Sequence, residues 1–302
     1  RGLLRLTMST PTASPSSFLD LPPEWRDPRT ARAAVLPVPY EATTSYGKGA
    51  ARGPAAILAA SAQVEFYDLE LDAEPCRCGI VTHAPVDPRG GDPEAALAEI
   101  RRAYEAALAE GRFLVALGGE HTVTAPLVAA WRDRLGPDAE LGVLQLDAHA
   151  DLRDAYGGTR WSHACVMRRV LEMGVPVVGV GLRSLDAEER AVQRERGLAV
   201  VWGHELGSPG WIDRVLEALP KRVYVTVDVD VFDPSLVPTT GTPEPGGASW
   251  AQVCALLRRV AREREVVAAD VVELAPVPGW HAPDVVTAKL VYKIIGYRLE
   301  AS

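Results

Sequence analysis

Short apolar runs alternate along the chain with longer amphipathic segments. Most runs carry Val or Leu at successive rather than alternate positions, which is typical of strands buried on both faces. They predict seven strands, at Ala33–Val38, Phe113–Leu117, Leu141–Leu146, Val175–Val180, Leu198–Val201, Val223–Val229 and Val266–Val272. The amphipathic segments predict eight helices, at Pro54–Val64, Pro93–Ala109, Thr122–Arg134, Ser162–Glu172, Ala187–Arg196, Trp211–Ala218, Ser249–Arg262 and Pro283–Arg298. This alternation favours the α/β class, with three α/β/α layers around a mainly parallel, doubly wound sheet.

Most of the 302 residues are expected to form one domain, because no repeat, linker or second pattern of elements interrupts residues 31–302. Residues 1–30 are expected to be a loosely ordered tail, since the stretch Pro11–Glu24 is rich in Pro and Ser. The first ten residues hold too few apolar side chains for a signal peptide, and Met8 is a candidate natural start.

Charge and cysteine content narrow the possible partners and the compartment. A formal charge of −8 argues against a nucleic-acid partner, whose phosphates would be repelled, and is compatible with a small cationic substrate. No apolar run reaches the length of a membrane span, so no membrane partner is expected. Four cysteines in a chain of this length favour reduced thiols that bind no metal, and a cytoplasmic location.

Acidic residues and histidines follow three of the predicted strands. The segments are 118–121 (Gly-Gly-Glu-His), 147–151 (Asp-Ala-His-Ala-Asp) and 228–234 (Asp-Val-Asp-Val-Phe-Asp-Pro). In an open α/β sheet, ligands bind beyond the carboxyl ends of the strands. The candidate ligands there are two imidazoles and four carboxylates: His121, Asp147, His149, Asp151, Asp228 and Asp230. One such Asp alone would more simply be a helix N-cap, but their joint occurrence at three strand ends favours a site.

The spacing of these residues points to a pair of metal ions. Alternate residues of an extended chain point the same way, so Asp147, His149 and Asp151 can converge on one point, as can Asp228 and Asp230. Four carboxylates in one pocket repel one another unless cations neutralise them. Six ligand groups suit two divalent ions per subunit better than one. An oxygen-rich set with some imidazole and no thiolate favours Mn²⁺, with Co²⁺, Ni²⁺ or Zn²⁺ as possible substitutes. Two ions that share a water would lower its pKa and prepare it for attack.

These segments resemble the signatures of the ureohydrolase (arginase/agmatinase) family. The resemblance runs in order from about residue 38 to the C-terminus. It also includes residues 38–46 (Val-Pro-Tyr-Glu-Ala-Thr-Thr-Ser-Tyr), 49–54 (Gly-Ala-Ala-Arg-Gly-Pro) and 240–247 (Thr-Gly-Thr-Pro-Glu-Pro-Gly-Gly). It implies an arginase-like α/β fold, two Mn²⁺ ions, hydrolysis of a small cationic guanidino substrate to urea, and a homotrimer or homohexamer.

The resemblance also implies a role for each residue that matches the family's motifs. The implied ligands are His121 and Asp151 for one ion, His149 and Asp230 for the other, and Asp147 and Asp228 for both. His163 matches the histidine that handles protons at the pocket mouth, with Asp230 as a second proton carrier. Glu273 matches the carboxylate that binds the guanidinium, and Thr242 matches the pocket wall.

The substrate within the family is expected to be agmatine, with putrescine and urea as products. Residues 152–161 hold no Asn and no Ser, unlike the loop with which arginine-specific members read the amino acid end of their substrate. Arg153 or Arg160 could instead hold a carboxylate, which keeps guanidinobutyrate and arginine open as substrates. Asp154 could meet a distal ammonium.

Two other classes of protein are possible. A single-zinc deacetylase on a related fold would keep an Asp-x-His and a later Asp, but would not need His121, Asp151 and Asp230 together. A non-catalytic metal-binding subunit would be free to lose His163. Three further histidines have no matching partners nearby in sequence and are expected not to bind metal: His83, His204 and His281.

Overall fold

The apolar runs form a single sheet in the computed structural model, which describes residues 17–88, 92–136 and 138–300. The strands of the described chain are β1 Ala33–Val38, β2 Ile80–Thr82, β3 Phe113–Gly118, β4 Leu141–Leu146, β5 Val177–Leu182, β6 Val200–Trp202, β7 Arg222–Asp228 and β8 Glu265–Val272. The α-helices are α1 Gly53–Ser61, α2 Pro93–Leu108, α3 Thr124–Leu135, α4 Val166–Glu172, α5 Ala187–Glu195, α6 Trp211–Ala218, α7 Trp250–Glu263 and α8 Ala282–Glu300. Short 3₁₀ helices lie at Phe18–Asp20, Pro23–Trp25, Ala50–Arg52, Pro75–Cys78, His121–Val123, His163–Cys165, Gly203–Glu205 and Val229–Val231.

The sheet is parallel throughout, with the strand order β2-β1-β3-β8-β7-β4-β5-β6. After β1 the chain forms the edge strand β2 and returns past β1 to β3. It then crosses to β4, continues outward to β5 and β6, and returns to the centre of the sheet with β7 and β8. The predicted doubly wound α/β class is therefore confirmed. The crossover places β8 and β7 between β3 and β4, which are consecutive in the chain.

Both faces of the sheet are covered, as the uninterrupted apolar runs predict. All six residues of β1, β3 and β4 are buried. Successive side chains enter opposite cores: Val35 belongs to the core that also includes residues of α1, α6, α7 and α8, and Leu36 to the core that includes residues of α2, α3 and α4. Burial of one such side chain stabilises the fold by about 1.5–3 kcal/mol, so both faces of each strand contribute to stability.

Three strands, β2, β5 and β6, differ most from the prediction. The strand predicted at Leu198–Val201 is β6, Val200–Trp202. The strand predicted at Val175–Val180 begins instead at Val177, after Pro176, because proline has no N–H to donate to a neighbouring strand. The strand β2 was not predicted, because its three residues are too few to show a hydrophobic pattern. It pairs with β1 at the edge of the sheet.

The N-terminal segment is packed from its first described residues. Phe18, Leu19 and Leu21 are buried in the core that α1 lines. The backbone N–H of Leu19 donates to the hydroxyl of Ser61 in α1. Residues 1–16 of the expected loose tail lie outside the described residues, whereas residues 17–21 depart from that expectation because their apolar side chains close one end of the core.

The described residues contain neither a membrane-spanning helix nor a disulfide. No helix within the described residues is long and apolar enough to cross a bilayer. The four cysteines form no disulfide, and none of them belongs to the groups of potential metal ligands found in the described chain.

Candidate active site at the carboxyl edge of the sheet

Four neighbouring strands bring the candidate ligands together. The strands β3, β8, β7 and β4 lie side by side in that order. His121 begins a 3₁₀ helix after β3, Asp147 directly follows β4, and Asp228 is the last residue of β7. Glu273 directly follows β8. Because all four strands are parallel, these residues lie at one edge of the sheet.

Five of the six predicted metal ligands form two groups that share Asp147. In the first group, Nδ1 of His121 lies 3.2 Å from Oδ2 of Asp147 and 3.1 Å from Oδ2 of Asp151. In the second group, Nδ1 of His149 lies 2.8 Å from Oδ2 of Asp230 and 3.8 Å from Oδ1 of Asp147. Each group could hold one ion, with Asp147 between the two.

Asp228 lies beside the first group, with its Oδ2 3.6 Å from Nδ1 of His121. Its Oδ1 accepts the backbone N–H of Asp230 at 2.9 Å. This bond holds the turn that directs Asp228 and Asp230 toward the same pocket. The structure therefore brings all six predicted ligands together.

Thr226 and Asp270 fix His121 from the side opposite the cluster. Nε2 of His121 lies 2.9 Å from the hydroxyl of Thr226, which donates its own proton to Oδ1 of Asp270 at 2.6 Å. Thr226 must therefore accept the hydrogen bond from Nε2–H of His121. Without cations, the contacts with Asp147 and Asp151 outweigh burial and raise the pKa of His121 well above its ordinary value. In the neutral ring that a metal ion requires, Nδ1 carries a lone pair that faces these carboxylates.

The environment of His121 Nδ1 fits a bound cation. This buried nitrogen has no hydrogen-bond partner among the described residues. Its lone pair faces the Asp147 and Asp151 oxygens described above, and unshielded lone pairs at such distances repel. A divalent cation between them would turn this repulsion into coordination. The donor set of four carboxylates and two imidazoles therefore fits two metal ions.

The pKa shifts of the carboxyl groups agree with this interpretation. Burial raises the pKa of Asp151 to about 7, and the charge of Asp147 adds to the effect. Burial and the charges of Asp230 and Asp147 raise the pKa of Asp228 well above its ordinary value. Asp151 and Asp228 resist ionisation for these two reasons, and nearby cations would favour their charged forms. The pKa of Asp230 is instead lowered, because its contacts with His149 and the Ala148 N–H outweigh burial.

Two residues of the site have left-handed backbone conformations. Asp151 has φ of 54° and Glu273 has φ of 67°. Such conformations cost free energy in residues other than glycine and persist where the surrounding structure imposes them. Both residues follow strands that end at the cluster, and the turn in each backbone directs its carboxylate into the pocket.

Glu273 lies next to the metal-ligand cluster. Its Oε1 accepts the backbone N–H of His121 at 2.6 Å, and its side chain is buried and lines the pocket. Burial and the nearby charge of Glu120 outweigh that hydrogen bond and raise the pKa of Glu273 to about 8. A planar cation bound against this carboxylate would offset the cost of its burial.

His163 faces the same pocket from the 3₁₀ helix before α4. Burial lowers the pKa of His163 to about 4, and His121 and His149 add to the effect when they are protonated. The ring is therefore neutral near pH 7. Nδ1 lies 3.2 Å from the hydroxyl of Thr43, in the loop after β1, and the ring packs edge-on against Tyr156.

The pocket has a volume of about 290 Å³ and opens above the cluster. Of the substrate-binding residues predicted from sequence, Thr242, Glu273 and Arg153 line it. Asp154 and Arg160 do not. Asp154 is an exposed partner of Arg169, and Arg160 pairs at the surface with Glu172. The structure corrects these two predictions. Helix α4, which follows the loop, supplies the charged partners Arg169 and Glu172, which hold both side chains away from the pocket.

Sequence reasoning missed several residues of the outer pocket: Tyr46, Tyr156, Asp186 and Glu189. Asp186 and Glu189 form the capping box of α5, a pattern that sequence alone interprets as a helix start. Arg153 bridges both carboxylates: its Nη1 lies 2.9 Å from Oδ2 of Asp186, and its Nε lies 3.6 Å from Oε2 of Glu189. The Tyr46 side chain is 83% exposed at the mouth.

Arg183 is a second omission of the sequence reasoning. Its guanidinium donates hydrogen bonds to the backbone carbonyls of Gly181, Asp230 and Glu244. It therefore ties the end of β5 to the turn that carries Asp230. No local sequence pattern signals this role, because the three acceptors come from separate segments of the chain.

The remaining histidines lie outside the ligand cluster. His83 is half-buried and lies 3.6 Å from Glu110. Neither it nor His204 or His281 belongs to the potential metal-ligand groups of the described residues.

Comparisons with known proteins agree with the geometry of the site. The sequence profile of the Arginase family matches residues 31–296. N(1)-aminopropylagmatine ureohydrolase of Thermus thermophilus is 46% identical over 269 residues, 89% of this chain and 90% of the relative. The Synechocystis protein of that name is 39% identical, and the match covers 94% of this chain and 96% of the relative. Agmatinase of Pyrococcus horikoshii is 35% identical and covers 89% and 93%.

Solved structures show the same fold. Proclavaminate amidino hydrolase of Streptomyces clavuligerus superimposes with a TM-score of 0.84 at 28% identity, covering 95% of this chain and 98% of the other. Agmatine ureohydrolase of Thermoplasma volcanium gives 0.81 at 28% identity, covering 91% and 92%. The chain therefore belongs to the arginase family, as an agmatinase-like ureohydrolase.

Proposed function

We propose that this chain is a manganese-dependent enzyme that releases urea from N1-aminopropylagmatine, with agmatine as the second candidate substrate. The observation that carries the proposal is the pair of ligand groups sharing Asp147, beside the buried carboxylate of Glu273. A site with these two parts combines metal ions with a carboxylate that can hold a guanidinium.

The proposed metal ligands keep the roles that the sequence predicted. His121 and Asp151 would hold one ion and His149 and Asp230 the other, with Asp147 and Asp228 between them. A set of four carboxylates and two imidazoles without thiolate favours Mn²⁺. Two such ions would lower the pKa of a water molecule and stabilise negative charge that develops on the reacting carbon's substituents.

The protein side chains would bind the substrate and move protons. Glu273 orients the planar guanidinium through paired, charge-assisted hydrogen bonds, which holds its carbon over the ligand cluster. His163 is neutral near pH 7 and lines the pocket, so it can accept a proton and return it to the leaving amine. Asp230, whose Oδ1 accepts the backbone N–H of Ala148, is a second proton carrier.

The outer pocket supports a long cationic substrate. Asp186 and Glu189 place two carboxylates there against one guanidinium, that of Arg153. The two relatives that are 46% and 39% identical act, by their names, on aminopropylagmatine, which has an additional ammonium beyond the agmatine skeleton. Agmatine, the substrate predicted from sequence, is supported by the Pyrococcus relative.

The carboxylate-bearing alternatives receive less support. Asp186 and Glu189 already offset the charge of Arg153, so it would attract the carboxylate of guanidinobutyrate or arginine less strongly. Arg160, the other candidate, points to the surface and pairs with Glu172. A single-zinc deacetylase is disfavoured because both ligand groups are complete.

The test measures urea released by the manganese-loaded protein from N1-aminopropylagmatine, agmatine, arginine and 4-guanidinobutyrate. We expect kcat/KM to be highest for N1-aminopropylagmatine, followed by agmatine, then arginine, then 4-guanidinobutyrate. A higher value for arginine or guanidinobutyrate contradicts the substrate assignment. Metal analysis of the same sample should find two ions per chain, whereas one zinc with release of acetate from acetylpolyamines would favour the deacetylase.

We also propose a homotrimer or homohexamer located in the cytoplasm. The assembly is supported by the family resemblance, and the location by four cysteines that form no disulfide. Light scattering on the eluting protein should give three or six times the chain mass of 32.4 kDa. A monomer would contradict the proposed assembly.

A further inference from the structure

Two residues outside the predicted site hold His163 through its Nδ1 side. Thr43 lies in the loop after β1, and Glu120 lies directly after β3. The hydroxyl of Thr43 lies 3.2 Å from Nδ1 of His163 and accepts the backbone N–H of the same residue at 3.1 Å. Thr43 thus contacts both the backbone and the ring of His163 from 120 positions away in the chain.

The hydroxyl proton of Thr43 is already used. It is donated to Oε1 of Glu120 at 3.0 Å. Oε2 of Glu120 accepts the backbone N–H groups of Ala42 and Thr43, at 2.8 and 2.6 Å. Glu120 is fully buried, so its carboxylate has these fixed partners and no bulk water.

The direction of the remaining hydrogen bond follows from this arrangement. A hydroxyl has one proton and two acceptor positions. Thr43 gives the proton to Glu120 and uses one acceptor position for the backbone N–H of His163. The second acceptor position faces Nδ1, so Nδ1 must carry the hydrogen. In a neutral imidazole, the lone pair is then on Nε2.

We propose that Thr43 and Glu120 are positioning residues that keep His163 in the tautomer with hydrogen on Nδ1, leaving Nε2 as the proton acceptor in the pocket. The inference rests on the proposed function, in which His163 moves a proton. A neutral imidazole with hydrogen on Nε2 could not accept a proton at that atom.

The other neighbours of the ring do not replace this contact. The hydroxyl of Ser162 lies 3.4 Å from Nδ1, farther than that of Thr43. Tyr156 packs edge-on with the ring centroids 6.0 Å apart, which restricts the ring plane and does not select a tautomer. Ser162 is therefore the matched control: it offers a hydroxyl beside the same nitrogen, without a bond to Glu120.

The first experiment determines the tautomer of His163 by NMR of ¹⁵N-labelled imidazoles, with Zn²⁺ replacing paramagnetic Mn²⁺. The His163 signals are assigned by their loss in His163→Gln. Wild type, Thr43→Ser and Ser162→Ala should show hydrogen on Nδ1, and Thr43→Val should shift the population toward hydrogen on Nε2. Hydrogen on Nε2 in the wild type overturns the proposal, as does a change in Ser162→Ala alone.

The second experiment measures kinetics with the best substrate. Thr43→Val should lower kcat by about 10- to 100-fold, within the range that general acid–base catalysis contributes, and change KM by less than about 3-fold because Glu273 still binds the guanidinium. Thr43→Ser should restore kcat to within about 3-fold of wild type because the hydroxyl remains. Equal losses in the two variants, or no loss in either, would overturn the proposal.

Glu120→Gln provides a test if Thr43→Val does not fold. Its amide can donate to Thr43, whose hydroxyl would then turn to Nδ1 and place the hydrogen on Nε2. This variant should therefore show the Nε2–H tautomer and a lower kcat, and retention of the Nδ1–H tautomer contradicts the proposal. If the wild type releases no urea from any guanidine, the proposed function fails, while the NMR result still decides the hydrogen-bond assignment.

Discussion

Thr226 offers a test of how the sheet interior prepares His121 for metal. Its hydroxyl lies between Nε2 of His121 and Oδ1 of Asp270, at 2.9 and 2.6 Å. Thr226→Val keeps the shape of the side chain and removes both hydrogen bonds. The Nε2–H of His121 would then lack a partner in a fully buried position, and Oδ1 of Asp270 would lose its donor.

The structure indicates the size of both effects. An unpaired buried N–H costs about 1–3 kcal/mol, and the lost bond to the Asp270 carboxyl costs about 1.5–3 kcal/mol, so the free energy of unfolding should fall by about 2.5–6 kcal/mol. His121 would also lose the bond that fixes its tautomer. Loss of such an outer partner weakens metal binding by about 10- to 100-fold, or about 1.4–2.8 kcal/mol.

The assay separates stability from metal binding. Urea unfolding in chelator gives the stability, and competition with a fluorescent chelator gives the affinity for Mn²⁺. Thr124→Val is the matched control, because the Thr124 hydroxyl donates to Oδ2 of the same Asp270 at 2.9 Å, and the bond from its backbone N–H to the His121 carbonyl is kept in the variant. It should lower stability and leave the affinity within about 2-fold of wild type. Wild-type affinity in Thr226→Val, or equal weakening in both variants, would refute the reasoning.

Three further predictions concern the metal, the ligand cluster and the substrate. Chelation should abolish urea release. In chelator, the free energy of unfolding should also fall as the pH rises from about 5 to 8. The raised pKa values of Asp151 and Glu273 make the folded state bind more protons than the unfolded state in this pH range. Saturating Mn²⁺ should remove that fall in a denaturation series, since bound cations favour the ionised carboxylates; an equal fall with Mn²⁺ would count against a metal site. Asp230→Asn should keep the fold by circular dichroism and lose at least about 100-fold in kcat, while His204→Ala stays within about 2-fold; comparable losses would mean that the site is misplaced. Glu273→Gln should slow all guanidino substrates, whereas Arg153→Ala should change their ranking in steady-state kinetics by about 10- to 100-fold; a Glu273 effect on one substrate only would contradict the assigned roles.

Local patterns in the sequence were sufficient to predict the strands of the described chain other than β2, and the ligand cluster. Runs such as Leu141–Leu146 are apolar at successive positions because both faces of the strand are buried, and burial is a property of the whole run. Parallel strands end at one edge of a sheet, so the residues after them were expected to meet. The six predicted ligands do converge, although the residues lie in three segments of the chain.

The partners of those residues depended on the tertiary structure. The crossover places β8 and β7 between β3 and β4, which brings Asp270 behind His121 and Glu273 beside it. Thr43 reaches His163 across 120 positions of sequence. Neither contact has a local pattern, because each depends on which strands become neighbours and on how the loops after them pack.

The directions of the charged side chains in the 152–161 loop show the same limit. Composition predicted charge near the substrate, but α4 draws Asp154 and Arg160 to the surface, while Arg153 turns toward Asp186 at the pocket. The sequence by itself determined the strands, the sheet type and the metal-ligand cluster, because hydrophobic burial and strand termination act along the chain. The orientation of His121 and His163 and the shape of the outer pocket were decided only by tertiary structure, because hydrogen bonds and ion pairs depend on distances between segments that are remote in sequence.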